Sequence, residues 1–273
     1  MVEVVLLGTG SPNPDPGRAG AATAVVADGA WVLVDCGRGA TQRAIDAGLD
    51  LAALVAVLVT HHHSDHVSDL ATLATARWVA GGGPLRVVAP SGPAATIAET
   101  CLDGLPDDAF HSQAEPAAGP RPAVDVRRFA ATATPTEVLA AAGFVVAGAL
   151  VDHHPVAPAV GYRIARSGRT VAVSGDTARC AGMDELAIGV DVLVHEALLP
   201  ARVGAAALAW NAGADEVGRL AVAAGVGHVV LTHLIPAPRS AADEDAYRAE
   251  VRRGGWQGPT TVAHDLLRIP IGA

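Results

Sequence analysis

Short apolar runs of strand length recur along the whole chain. Four of them, 2–7, 22–27, 31–35 and 53–59, fill the first quarter and are separated by Gly-bearing turns such as Asp28-Gly29. A helix is predicted over 41–47, ended by Gly48, and another over 67–79. A strand at 85–89 and a helix at 93–102 follow. Residues 103–124, rich in Pro, Ala, Gly and Asp, read as a surface loop, a candidate lid or interface segment. Strands resume at 124–129, 144–151, 160–165, 170–174 and 190–195. A helix near 214–224, a strand at 229–232, a polar helix over 239–254 and short strands at 260–263 and 267–269 complete the pattern. Each half runs from strands into helices, and no Gly/Ser- or Pro-rich linker divides them. The economical arrangement is one domain, 1–273, of two packed sheets with outer helices.

The polar residues that interrupt this pattern gather at strand ends. The apolar run 54–59 leads directly into Thr60-His61-His62-His63-Ser64-Asp65-His66. Burying so many polar groups without partners is costly, and a metal ion supplies partners for several at once. His61 and His63, two apart, can converge on one ion. Asp65 and His66, beyond a tight turn, can serve the same ion or a neighbour, while His62 points away and suits packing or a substrate contact. Val151-Asp152-His153-His154-Pro155 follows another apolar strand, and either His153 or His154 could complete a three-histidine site. In Ser174-Gly175-Asp176-Thr177, Gly175 admits an unusual backbone conformation and leaves Asp176 at a strand end, where its two oxygens could bridge two cations. Thr232-His233 and His195-Glu196 also lie at strand ends and could orient ligands.

Composition narrows the setting. The 273 residues are 51% hydrophobic and 17% charged, with no apolar stretch long enough to span a membrane. The N-terminal residues lack the basic region of a secretion signal. Three scattered cysteines, Cys36, Cys101 and Cys180, make neither a disulfide framework nor a Cys-rich zinc site, so a cytoplasmic location is expected. All 19 basic residues are arginine and the net charge is −9, which argues against extended nucleic-acid binding. Trp31 and Trp78 are expected in the core, and Trp210 and Trp256 in the core or an interface, with the lining of a pocket as the alternative. His111, His228 and His264 are expected to be structural or exposed, and Arg163 to pair with an internal carboxylate. Gly8-Thr9-Gly10-Ser11 lacks the Gly-Lys-Ser/Thr of a phosphate-binding loop.

Gly8-Thr9-Gly10-Ser11-Pro12, Val34-Asp35-Cys36-Gly37, the HxHxDH run, His153 ahead of Gly161-Tyr162-Arg163, Ser174-Gly175-Asp176-Thr177, His195-Glu196-Ala197 and Leu231-Thr232-His233 occur in order over nearly the whole length. In this the chain resembles the metallo-β-lactamase-fold hydrolases, in particular their ribonuclease Z and type II arylsulfatase-like branch. The resemblance implies an α/β fold, an αββα sandwich, with the site at one edge between the sheets. It implies one metal on His61, His63 and His153, a second on Asp65, His66 and His233, and Asp176 between them. His153 is favoured over His154 because Pro155 follows at the family's spacing. Zinc suits this donor set, with iron and manganese used elsewhere in the superfamily, and a hydroxide shared by two cations would be the nucleophile. Asp65, His195 and Glu196 are the candidates for catalytic support, and a homodimer is the family's habit.

Two departures bear on the substrate. Ribonuclease Z has a long tRNA-clamping arm between the Gly-Tyr-Arg strand and the bridging Asp, and here 161–176 runs from strand to turn to strand. That family also has a His-Ser/Thr-Thr motif whose histidine would fall near Trp210-Asn211-Ala212, where there is none. The expected substrate is therefore a small ester (a phosphodiester, a sulfate ester or a lactone), with no nucleic-acid or membrane partner. The alternatives are a ribonuclease Z-like endoribonuclease, an oxidoreductase of the persulfide-dioxygenase type with one iron, and a non-catalytic metal-binding protein.

Overall fold

The computed structural model describes residues 1–105 and 121–272. The loop expected over 103–124 therefore falls mostly outside the described residues, as does His111. The strands are β1 (Val2–Gly8), β2 (Ala22–Ala27), β3 (Ala30–Val34), β4 (Leu54–Leu58), β5 (Leu85–Pro90), β6 (Val124–Phe129), β7 (Thr136–Ala141), β8 (Phe144–Leu150), β9 (Val160–Arg166), β10 (Arg169–Val173), β11 (Val192–Leu198), β12 (His228–Ile235), β13 (Thr260–Val262) and β14 (Leu267–Ile271). They form two seven-stranded sheets, in the orders β14-β1-β2-β3-β4-β5-β6 and β13-β12-β11-β10-β9-β8-β7. The helices are α1 (Ala40–Asp46), α2 (Ser64–Val67), α3 (Leu70–Val79), α4 (Pro93–Thr100), α5 (Ala181–Ala187), α6 (Ala205–Leu208), α7 (Ala214–Ala224) and α8 (Ala241–Arg253).

Strand alternation divides the apolar residues into layers. Leu6, Val25, Val34, Leu58 and Val88 of the first sheet meet Phe144, Val160, Tyr162, Val173, Val194 and Val230 of the second. The opposite faces pack outward, with Leu33, Val57 and Val87 on α1, α3 and α4, and Leu193, Val229 and Leu231 on α5, α7 and α8. The result is the expected α/β sandwich of four layers. Trp31 and Trp78 are fully buried, and Trp256 packs at the edge of the outer core of the second sheet.

Several elements differ from the sequence expectation. β7 was not foreseen, because only its adjacent Val138 and Leu139 are buried and no alternation marks it. The predicted helix over 67–79 is two helices meeting at Asp69. Its amide donates to the Cys36 carbonyl at 3.0 Å, while its carboxylate accepts from the Thr41 amide at 2.7 Å. Arg163 does not pair with a carboxylate. It donates to the carbonyls of Leu186 and Ile188 at 3.0 and 2.6 Å, groups that the end of α5 leaves without helical partners.

β1, β3, β4, β5 and β6 run in one direction within their sheet, as do β8 and β10–β13 in theirs. Their carboxyl-terminal loops lie together at one edge of the sandwich, the customary place for a ligand in such sheets. No described helix is long and apolar enough to cross a membrane.

Candidate metal centre

Three of these loops and one strand deliver seven side chains to one point between the sheets. His61, His63, Asp65 and His66 follow β4, His153 follows β8, Asp176 follows β10, and His233 lies near the end of β12. One donor atom from each of His61, His63, His153 and Asp176 lies within 4.8 Å of the others, as do those of Asp65, His66 and His233. Asp176 reaches into both groups: its oxygens stand 3.4 Å from His66 Nε2, 3.6 Å from His233 Nε2 and 3.8 Å from His153 Nε2. His233 Nε2 is 3.2 Å from Asp65 Oδ2. His154, by contrast, is exposed, and His62 points out of the cluster with its ring 6.1 Å from that of His63.

Local backbone geometry aims these groups. Gly175 has φ +62°, and a Cβ there would lie 2.9 Å from the Thr60 side chain, so no other residue fits between β10 and the His61 loop. His233 and Asp35 adopt the left-handed region despite their side chains, at φ +48° and +60°. Such strained positions concentrate at functional sites.

Each of three imidazoles is held by one nitrogen and presents the other. Asp35 accepts from the Thr60 amide at 2.8 Å, from the Thr60 hydroxyl at 2.8 Å and from His66 Nδ1 at 2.7 Å. With its only proton engaged there, Thr60 Oγ1 accepts from His61 Nδ1 at 3.0 Å. His153 Nδ1 donates to the Trp210 carbonyl at 3.0 Å. Nε2 of His61, Nε2 of His66, Nδ1 of His233 and Oδ1 of Asp176 are buried with no hydrogen-bond partner. For His61 and His66, whose Nδ1 is held from behind by Thr60 and Asp35, an orphaned Nε2 beside the Asp176 carboxylate is what a divalent cation requires. The residues therefore fit a metal ion.

The electrostatics agree. Burial, reinforced by His66, holds His61 well below the usual imidazole range, and burial with His153 does the same to His63 in smaller measure. Both are thereby kept neutral, the form that ligates. Burial opposes ionisation of Asp176 and Asp65, but His233 and His66 outweigh it and hold both below the usual carboxylate range. Burial also opposes the charged form of His66, yet Asp176 and Asp35 raise it well above normal.

His195 and Glu196, adjacent on β11, part company. Glu196 turns inward, where it lies within 4.8 Å of Asp176 and His233 and accepts from the Thr177 amide at 2.5 Å. His195 turns to the outer face, towards Cys180, Met183, Ala212 and Val217 beneath α5 and α7. The structure does not bring it to the cluster, because neighbours on a strand face opposite ways. Burial lowers its pKa to about 4. The unfolded chain takes up that proton near pH ~6.5, so the unfolded state binds more protons between these values. Stability is fully present above about 6.5 and falls as pH drops to about 4, by about 3 kcal/mol in all. His195→Gln is expected to flatten that part of the stability curve in urea melts taken across the same pH range.

Asp35, Thr60 and the Trp210 carbonyl were not among the predicted site residues. The sequence carried a signal for the first, a charged residue closing the apolar run of β3. The second lies in the run itself, and a backbone carbonyl leaves no trace in a sequence.

Residues 30–234 match the family model described as the β-lactamase superfamily domain. The chain is 40% identical over 285 residues to a protein of Mycolicibacterium paratuberculosis named ribonuclease Z, covering 100% of this chain and 99% of that one. The fold is similar to that of human tRNase Z, short form, at TM-score 0.75 and 21% identity, covering 99% of this chain and 100% of that one. It is also similar to the metallo-β-lactamase fold protein YhfI of Bacillus subtilis, at TM-score 0.74 and 20% identity, with coverage of 99% and 100%.

These relatives overturn the expectation of a small-molecule substrate and no nucleic acid. β9 and β10 do join in a tight hairpin without an arm. The mycobacterial alignment, however, is only slightly longer than the chain itself, so a long arm is missing from that ribonuclease Z too. The net charge misled because it is a sum over the whole surface. At the site edge, Arg18, Arg38, Arg179, Arg202 and Arg239 stand on the loops, and Arg179, Arg202 and Arg239 pair there with Asp184, Asp243 and Asp15. A polyanion meets that edge, not the sum. The chain thus belongs to the β-lactamase superfamily and, within it, to the ribonuclease Z family of metal-dependent hydrolases.

Proposed function

We propose that this protein is a cytoplasmic endoribonuclease that hydrolyses a phosphodiester bond in precursor transfer RNA with two zinc ions. The observation that carries this reading is the pair of buried donor groups sharing Asp176, in a chain 40% identical from end to end to a ribonuclease Z. His61, His63 and His153 would hold one ion and Asp65, His66 and His233 the other, with Asp176 common to both. The histidine-rich set suits zinc. The second donor group speaks for two ions rather than the single iron of an oxidoreductase. Free thiols at Cys36, Cys101 and Cys180 accord with a reducing compartment. The core shared by strands from both halves accords with one domain.

When bound, the cations activate water at neutral pH and offset the charge that develops on the phosphate. The protein positions everything else. Asp35 and Thr60 lock His66 and His61. Glu196 accepts from the Thr177 amide and so steadies the segment that bears Asp176. The arginines on the edge loops draw the RNA backbone to the cleft.

The test is incubation of the zinc-loaded protein with a 3′-extended precursor transfer RNA, followed by mapping of the ends. One cut near the mature 3′ end is expected, abolished by a chelator and restored by zinc. Intact RNA in the presence of protein with bound zinc would overturn the reading.

A further inference from the structure

Trp210 is the one exposed aromatic side chain among the described residues, 44% accessible. The sequence favoured a core or an interface for it, with the lining of a pocket as the alternative. The structure sets it between α6 and α7, where its carbonyl accepts from His153 Nδ1 at 3.0 Å and its amide donates to the Ala207 carbonyl at 3.3 Å. The next residue, Asn211, returns its side-chain amide to the same carbonyl at 3.1 Å. The backbone of Trp210 is thus fixed against a histidine of the metal cluster while its indole lies open to solvent. No described residue accepts from the indole N–H.

The segment that leads to Trp210, residues 204–209, is built of Gly and Ala apart from Leu208. Arg202 stands on the same loop, and Arg179 lines a small cavity with Ala212 just beyond it. Each arginine has one acidic partner, Asp243 and Asp184 respectively, and each keeps much of its side chain in solvent. An exposed indole whose backbone is one hydrogen bond from the metal cluster, with arginines on the neighbouring loops, is the kind of arrangement that holds single-stranded nucleic acid: stacking for the base and arginine for the backbone. An isolated surface aromatic elsewhere would carry no such meaning.

We propose that Trp210 is a stacking platform for a nucleobase of the RNA adjoining the scissile phosphodiester bond. The proposal rests on the nuclease reading above and adds to it a residue that holds the substrate's position in the cleft. Stacking needs no particular base, so it grips the strand where cleavage occurs without reading its sequence.

The experiment compares zinc-loaded wild type, Trp210→Phe and Trp210→Ala on a 3′-extended precursor transfer RNA, and on the same RNA with an abasic nucleotide at each position flanking the cut. Trp210→Ala is expected to raise KM by about 5- to 150-fold with kcat unchanged, the range of one base–aromatic stack. Trp210→Phe is expected to restore most of the loss. On one abasic RNA the difference between wild type and Trp210→Ala should vanish, a result that a merely structural role would not produce. Independently of turnover, binding of the mature product RNA should quench the tryptophan emission of wild type and not that of Trp210→Phe. Equal KM values for wild type and Trp210→Ala on intact RNA would overturn the proposal alone. So would a number of subunits per particle in solution that changes in Trp210→Ala while KM does not, which would make the indole a contact between copies. Failure of wild type to cleave or bind any RNA would overturn both the proposal and the nuclease reading.

Discussion

Asp176→Asn is expected to slow RNA cleavage by about three orders of magnitude and to lower the zinc bound per chain. The substitution keeps the shape of the side chain and removes its charge. That charge lies 3.4–3.8 Å from nitrogens of His66, His233 and His153, drawn from both donor groups. No other described side chain is so placed, so its loss affects both ions rather than one. A cation's stabilisation of the reacting phosphate is worth several kcal/mol, and about 4 kcal/mol corresponds to roughly a thousandfold in rate. Single-turnover cleavage and metal analysis of the same preparation measure the two effects together. A variant that retained full zinc and cleaved RNA within tenfold of wild type would remove Asp176 from the shared position.

The second large effect is expected at Asp35, which touches no substrate. Asp35→Ala removes the acceptor for the Thr60 amide, the Thr60 hydroxyl and His66 Nδ1, all buried. Breaking a buried charged pair while leaving its partner in place costs about 3–5 kcal/mol. Alanine is also poorly suited to the left-handed backbone at this position, φ +60°. Against a typical stability of about 5–15 kcal/mol, such a loss is severe and is read from urea melts of the metal-free protein. Asp35→Asn separates the metal effect from the folding effect. Asparagine tolerates the same backbone and still accepts from Thr60, but no carboxylate then fixes the His66 ring. The Asn variant is expected to fold and to bind zinc about 10- to 100-fold more weakly, measured by competition with a chelating dye. Unchanged zinc affinity in that variant would show that His66 is oriented by something other than Asp35.

Much of this protein could be read along the chain. The short apolar runs located most of the strands, because burial on both faces of a sheet demands apolar residues whatever their neighbours. The run His61–His66 declared a metal centre because its donors lie close in sequence as well as in space, so a local pattern suffices. Gly175 and Asp176 were legible for the same reason, a turn residue beside a carboxylate at a strand end. Local pattern failed where the outcome depended on a distant partner. The residues alone left His153 and His154 open, and only the family resemblance favoured His153; the Trp210 carbonyl, 57 residues away, meets it. Sequence context set His195 and Glu196 side by side, while the pleat of β11 sent them to opposite faces. The chain total of −9 concealed five arginines gathered at one edge, since charge sums over sequence but potential depends on position. Composition was equally silent on Trp210, whose exposure is decided by the turn between α6 and α7. The sequence by itself determined the layers and the donors; the tertiary structure decided which side chains meet, because hydrogen bonds and fields act through distances that only the packed sheets set.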